Sequence, residues 1–185
     1  MVIPAKPGFG IVTGVSVPAM GQWSRDELQS MFDHHLRVVD EIGPKGEWAT
    51  YADLFAEDAS YIEPTYGTFE GRDAIRESMV KTMSEFPGAE MPHYFSNWHV
   101  VDEEHGWVIC ELVNRMKDPG DGSIWEATNI SIFRYAGDNQ WANEEDVYNP
   151  MQFMVAIQGY VQRSSELGSL SPAAETFGKN MGWLS

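Results

Sequence analysis

The sequence is poor in cysteine and in positive charge, and both shortages exclude classes of function. Its 185 residues include one cysteine, Cys110, so no disulfide can form within the chain and no paired-cysteine metal motif exists. Lysine and arginine number 12 against 28 aspartate and glutamate residues, which gives a formal net charge of −16. A surface this acidic repels nucleic acid and anionic membranes. We therefore expect neither as a partner.

Long apolar runs and common ligand-binding motifs are also missing. No stretch approaches the roughly 18 consecutive apolar residues of a membrane span, and no basic segment leads into an apolar run as in a signal peptide. The sequence contains no P-loop, G-x-G-x-x-G or G-x-S-x-G motif, and its histidines are not spaced as metal ligands. We expect a cytoplasmic protein that uses no metal, no nucleotide and no other cofactor.

Apolar and aromatic residues are plentiful instead. Hydrophobic residues make up 43% of the chain, and they include seven tryptophans, seven tyrosines and nine phenylalanines. This supply suffices for a core and for an aromatic-lined pocket. Composition divides the chain into an extended, glycine- and proline-rich arm at 1–23, one domain at 24–167 and a C-terminal tail at 168–185.

The order of the predicted elements is typical of an α+β fold. The first helix begins at the capping-box pair Ser24 and Glu27 and ends at Gly43. Further helices are predicted at 47–57, 72–85 and 150–167, and strands at 59–63, 93–102, 107–117, 123–135 and 141–148. Because helices come first and an antiparallel meander follows, a parallel α/β fold is excluded.

The segment from Trp48 to Pro64, WATYADLFAEDASYIEP, resembles the signature of the SnoaL-like (nuclear transport factor 2-like) superfamily. There a helix ends in leucine-phenylalanine-alanine and an acidic pair, and a short strand then ends in an acidic residue and often a proline. Residues 71–75 and 141–150 also resemble the family's third helix and last strand, so the resemblance covers about 25–165. It implies a cone of helices packed on a strongly curved, mostly antiparallel sheet around an apolar pocket.

This superfamily includes ketosteroid isomerases, scytalone dehydratase, polyketide cyclases, epoxide hydrolases, cofactor-free lyases and non-catalytic members, so fold leaves the reaction open. The leading expectation is a cofactor-free acid/base lyase, acting by dehydration or retro-aldol-type cleavage on a small, apolar, aromatic substrate. The alternatives are a ketosteroid isomerase-like enzyme or polyketide cyclase, and a non-catalytic ligand-binding or dimerisation domain. Epoxide hydrolysis ranks behind, because no arginine is obviously directed inward.

Two candidate catalytic residues follow from the resemblance. Glu63 ends a short strand where the isomerases place their proton-shuttling carboxylate, and desolvation at an apolar pocket would make it more basic. His93 stands where scytalone dehydratase-like sequences carry a pocket histidine. Alternation is expected to place His93, Phe95, Asn97 and His99 on one face. The alternative is that Glu63 is a solvated strand-end charge and His93 a surface or core histidine.

Further candidates lie on the last three strands. The resemblance places Asn129 in the pocket as a ligand of substrate oxygen, and directs Asn114 inward with Cys110 and Leu112. Glu144, Asp146 and Tyr148 alternate along the last strand. If they face inward, the two carboxylates can divide the acid and base roles; the alternative is a solvated strand face.

The complete prediction divides into two sets of side chains. The predicted catalytic residues are Glu63, His93 and Asp146. The predicted substrate-binding residues are Tyr61, Tyr66, Asn114, Trp125, Asn129, Ser131, Glu144, Tyr148 and His35. The tyrosine that the isomerases carry on the first helix is matched here by Val39, so that feature is absent. We also expect a homodimer, because the arm and one sheet face lack a partner within the domain.

Overall fold

A computed structural model describes residues 21–185, so the predicted arm at 1–23 lies almost wholly outside the described residues. The helices are α1 (Arg25–Ile42), α2 (Arg72–Ser84), α3 (Pro150–Leu167) and α4 (Pro172–Asn180). The strands are β1 (Phe55–Glu63), β2 (Gly67–Glu70), β3 (His93–Asp102), β4 (Trp107–Arg115), β5 (Glu126–Gly137) and β6 (Gln140–Val147). Short 3₁₀ segments cover Trp48–Leu54 and Gly88–Glu90.

The six strands form one sheet in the order β2-β1-β6-β5-β4-β3. All neighbours are antiparallel except β1 and β6, which run parallel. Helix α1 packs on β3 and β4, α2 on β1, and α3 on β5. The α+β class and the mostly antiparallel sheet are thus confirmed, whereas the strong curvature stays a prediction.

The helix ends follow from local sequence. The Ser24 hydroxyl accepts a hydrogen bond from the backbone N–H of Glu27, as the capping box predicts. The Asn149 side chain caps α3 in the same way, with Pro150 at the first helical position. Gly168 then ends α3 at a φ of 71°, in the left-handed region that glycine adopts without a Cβ clash.

Three segments differ from the prediction. The predicted helix at 47–57 is a 3₁₀ turn, and β1 already begins at Phe55, which is fully buried and pairs with Trp141 of β6. The predicted loop at 67–71 contains β2, which is too short to show a period of its own. The predicted tail contains α4, whose Phe177 packs on Phe86 with ring centroids 5.1 Å apart.

The sheet has two distinct faces. The inner face lies under the helices and carries the buried side chains that alternate along β4 and β5, such as Cys110, Leu112, Asn129 and Phe133. The outer face carries the residues between them. One core cluster lies between α1 and the inner face, and a second lies under α3 and α4. No helix within residues 21–185 is long and apolar enough to cross a membrane.

Candidate functional site

Polar side chains of the inner face gather at one end of the sheet. Glu63 is the last residue of β1, and Asp146 and Asn114 are the last but one of β6 and β4. Asn129 lies near the start of β5, which runs antiparallel to both β4 and β6. Sheet pairing therefore places side chains from distant parts of the chain at the same end, which we call the polar end of the inner face.

Asp146 is the centre of this cluster. Its Oδ2 accepts a hydrogen bond from the Tyr61 hydroxyl at 2.7 Å. Its Oδ1 accepts two more, from the Asn129 side-chain amide at 2.8 Å and from the Ser131 hydroxyl. Since a carboxylate has about four acceptor sites, one site on Oδ2 is left for a further donor or a proton.

An amide chain extends from Asp146 across β5 to β4. The Asn114 side-chain N–H₂ donates to Asn129 Oδ1 at 2.7 Å. Asn129 in turn donates to Ser131 Oγ at 2.8 Å as well as to Asp146. Each amide is oriented by its neighbour, so the carboxylate sits in a prearranged polar setting.

These surroundings raise the pKa of Asp146 towards neutral pH. Burial raises its pKa, the bonds from Ser131 and Tyr61 oppose that effect, and the negative charge of Glu63 adds to it, so that the pKa is raised to about 6. Among residues 21–185, no ion pair joins Asp146 to a cation. A carboxyl group with this pKa is mostly ionised at neutral pH and can both accept and release a proton.

Glu144, two residues earlier on β6, is more deeply buried, with 2% of its surface exposed. The Tyr51 hydroxyl donates to its Oε2 at 2.5 Å. Burial, and next the negative charge of Asp146, raise the Glu144 pKa well above its usual value. The two carboxyl groups thus differ in affinity for a proton, and Glu144 is the one that holds it.

Tyr51 is a site residue absent from the sequence prediction. It lies in the 3₁₀ turn that was predicted as a helix, where its spacing indicated only an apolar face. Burial raises its pKa well above 10, so the hydroxyl stays a donor. Its position inside the WATYADLFA motif is the one sequence signal that could have identified it.

Glu63 lies beside Asp146, but its carboxylate accepts hydrogen bonds from the backbone of the β1–β2 turn. Its Oε2 accepts from the backbone N–H groups of Thr65 at 2.7 Å and Tyr66 at 2.6 Å. Its Oε1 accepts from the Tyr148 hydroxyl. The structure therefore brings Glu63, Asp146 and Tyr148 to one end of the sheet, and gives Glu63 a structural role in addition to the predicted catalytic one.

His93 is not part of the polar end of the inner face. It pairs with Arg115 on the outer face, is exposed, and lines a surface cavity of about 310 Å³ that does not include Asp146. Four strand spacings of about 4.8 Å separate β3 from β1, or about 19 Å along the sheet. The sequence predicts that His93 and Glu63 face one small substrate across a pocket. In the structure they do not, because they lie far apart and on different faces of the sheet.

The predicted alternation along β3 is wrong at His99. The β3–β4 register shifts between Ser96 and Trp98, where one extra residue is inserted. His99 therefore pairs with Cys110, and its ring packs on Phe32 with ring centroids 4.8 Å apart. It lies on the opposite face of the sheet from His93.

Two predicted binding residues lie elsewhere. His35 is a core histidine, 2% exposed, whose Nδ1 accepts from Trp141 Nε1 at 3.2 Å. Burial lowers its pKa to about 3, so the ring is neutral. The Tyr66 side chain is 59% exposed, and only its backbone reaches Glu63. Within residues 21–185, no cluster of three histidine, cysteine, aspartate or glutamate side chains could hold a metal ion.

Solved structures share this fold. A Bacillus subtilis protein given provisionally as an isomerase has a TM-score of 0.57 at 16% identity, over 71% of this chain and 96% of its own. The epoxide hydrolase/cyclase-like enzyme SalBIII, which acts in pyran ring formation in salinomycin, has a TM-score of 0.55 at 16% identity. The match covers 70% of this chain and 95% of SalBIII. An NTF2-like protein from Anabaena variabilis has a TM-score of 0.53 at 14% identity, and the match covers 69% of this chain and 92% of the other. At these identities the likeness is one of fold.

The family comparison is more direct. No curated protein sequence matches the chain significantly. The family model described as the SnoaL-like domain matches residues 22–143, well over half of the chain. The match ends before Glu144 and Asp146, so roles for these two side chains rest on their geometry here. With its helices packed on a six-stranded, mostly antiparallel sheet, the chain belongs to the SnoaL-like domain family and has the NTF2-like fold.

Proposed function

We propose that this protein is a cofactor-free acid/base enzyme in which Asp146 is the general base. Its substrate is small, apolar and aromatic, and its reaction is a lyase reaction such as dehydration. The observation that carries the proposal is the carboxyl group of Asp146, which is held by three donors and has a pKa raised to about 6. A base with a pKa near the working pH suits proton abstraction from carbon.

The base reaction uses the free acceptor site of Asp146 Oδ2. A substrate C–H positioned there gives its proton to the carboxylate. Tyr61, Asn129 and Ser131 keep their hydrogen bonds throughout, so little reorganisation is needed at the moment of transfer.

Glu144 provides the matching acid. In a dehydration, the electron pair of the broken C–H bond forms a C=C bond while the C–O bond at the neighbouring carbon breaks. The leaving hydroxyl takes the Glu144 proton and departs as water. Asp146 then returns the abstracted proton to Glu144, directly or through that water, which restores both groups. Tyr51 stabilises the transient Glu144 carboxylate through its 2.5 Å hydrogen bond.

Isomerisation is the second candidate reaction. It needs Asp146 alone to move a proton from one carbon to another, with neutral Glu144 donating a hydrogen bond to the substrate oxygen. The Bacillus subtilis relative given as an isomerase favours it. We rank the lyase reaction first because two carboxyl groups in different protonation states provide both an acid and a base. A non-catalytic binding domain is the alternative outside enzymology.

The test is Asp146→Asn in an activity screen of aromatic β-hydroxy ketones and steroid-like enones. Turnover should fall by about 10²-fold or more, while affinity for the same compound persists. The matched control is Glu145→Gln, on the outer face of the same strand and paired with Arg134 at 3.4 Å. Unchanged turnover in Asp146→Asn would contradict the assignment of the base. Binding without turnover by the natural protein would favour the non-catalytic alternative.

A further inference from the structure

Helix α3 carries a glycine in its interior, Gly159. Glycine in a helix interior is less favourable than alanine. The reason for it is visible in the packing: a Cβ at this position would lie 2.0 Å from Cζ3 of Trp125, 2.4 Å from its Cε3 and 2.8 Å from its Cη2. The indole ring thus contacts the bare helix backbone, and only glycine leaves room for it.

Trp125 belongs to the inner face at the polar end. It directly precedes β5, two residues before Ala127 and four before Asn129, so its side chain continues their alternation. Its carbonyl accepts from the backbone N–H of Met116 at 2.9 Å, and its indole N–H donates to Ser123 Oγ at 3.1 Å. The half-buried ring is therefore held between the start of β5 and α3.

Helix α3 makes a second aromatic contact at the same end of the sheet. The Phe153 ring packs on Tyr148, which follows β6, with centroids 4.8 Å apart. Tyr148 in turn donates to Glu63. Since the start of β5 and the end of β6 are neighbours, α3 lies across the end of the sheet where Asn129 and Asp146 are found.

We propose that Gly159 and Trp125 set the size of substrate that reaches Asn129 and Asp146, with Gly159 acting through the position of the indole ring. The inference rests on the proposed function for the identity of the site. A methyl group at 159 would displace the ring by about 1.5 Å, because carbon atoms pack at about 3.5 Å. Helix α3 closes off one direction of movement, so the ring moves towards the inner face. Replacing the indole with a smaller side chain does the opposite.

The experiment measures binding of three apolar probes of increasing size, a phenyl, a naphthyl and a steroid-like ketone, by calorimetry. Gly159→Ala should weaken binding of the steroid-like probe by about tenfold or more and leave the phenyl probe within about twofold. Trp125→Leu should strengthen binding of the steroid-like probe relative to the phenyl probe. Gln162→Ala, exposed on the same helix, is the matched control and should leave all three affinities unchanged.

A double variant separates a steric role from general destabilisation. Trp125→Leu in the Gly159→Ala background should restore binding of the large probe, because the smaller side chain no longer meets the methyl group. If Gly159→Ala does not fold, Trp125→Leu and the double variant still give the result. Equal changes for all probes, a double variant no better than Gly159→Ala, or no binding of any probe by the natural protein would overturn the proposal.

These outcomes are separate from those of the proposed function. Asp146→Asn tests turnover, whereas the size limit is measured by binding. An Asp146→Asn variant with full turnover would remove the acid/base assignment and leave the size profile intact. A flat size profile would remove the role of Gly159 and leave the base in place.

Discussion

Glu144 and Asp146 show at the scale of single residues how burial decides protonation. They face the same side of β6 two positions apart, and no cation pairs with either among residues 21–185. Two buried negative charges this close disfavour each other. Asp146 has three donors and Glu144 has one. The group with fewer donors and deeper burial therefore keeps the proton.

Glu144→Gln tests this assignment through stability. A carboxyl group whose pKa is raised on folding stabilises the fold at low pH, and this contribution is lost as pH rises from 4.5 through the higher folded-state pKa. Glutamine is uncharged and still accepts from Tyr51, so the variant should differ by about 1 kcal/mol or less at acidic pH. At alkaline pH it should be the more stable of the two.

Denaturant unfolding across the pH range from acid to alkaline gives the measurement, with Glu111→Gln on the outer face of β4 as the control. If Glu144→Gln is instead the less stable of the two at neutral and alkaline pH, and matches the natural protein only at acidic pH, the side chain is ionised in the fold and the assignment of the acid is wrong.

At the scale of elements, the β1–β2 turn connects Glu63 to the acidity of Asp146. Glu63 holds the turn through two backbone N–H groups, and its charge contributes to the raised pKa of Asp146. Moving the turn or neutralising Glu63 therefore changes the acidity of Asp146 without altering that residue. Under the proposed function Glu63 is a positioning residue, whereas its strand-end location predicts that it is the base itself.

Glu63→Gln distinguishes the two roles. Removal of the negative charge should lower the pKa of Asp146 below about 6, so the acidic limb of the kcat/KM profile should move to lower pH. An amide N–H₂ facing a donor should also destabilise the turn by about 1–3 kcal/mol. A fall in turnover of about 10²-fold at every pH, with no shift of the limb, would instead return the role of base to Glu63.

At the scale of the whole molecule, the outer face of the sheet is apolar for a protein with a net charge of −16. Trp98, Val100 and Val147 are exposed there. Arg115 pairs with Glu126, and Arg134 with Glu145, so this face carries both signs of charge. An apolar face that carries both signs of charge fits a two-fold interface, in which each copy presents the same surface.

We expect a homodimer through this face, as the sequence also predicts. Light scattering at micromolar concentration should give twice the chain mass, and Val147→Glu should halve it by placing a charge in the contact. Met151→Glu, exposed on α3, is the control and should stay dimeric. A monomeric natural protein under the same conditions contradicts the expectation.

Local chemistry explains which parts of the structure could be predicted from sequence. Capping at Ser24 and Asn149, the stop at Gly168 and the bounds of β3 depend on neighbours within a few residues. Helix α4 has a local start signal as well. Ser171 is its N-cap and accepts a hydrogen bond from the backbone N–H of Ala174, and Pro172 occupies the first helical position. The tail was still predicted without structure, because its small residues make weak periodicity and its stability depends on packing beside α3.

The sequence by itself determined most of the elements, the α+β class and the family. The resemblance implied the inward direction of Asn114 and Asn129, whereas the direction of Asp146 was left open until the strands were paired. Only the tertiary structure decided that His93 faces outward, opposite Arg115, and that one residue inserted further along β3 puts His99 on the other face. Only the tertiary structure brought Tyr51 to Glu144 and Tyr61 to Asp146, across 93 and 85 residues of sequence. A pKa depends on burial and on the donors that surround a group, and both arise from strand pairing between distant segments, which no local pattern records.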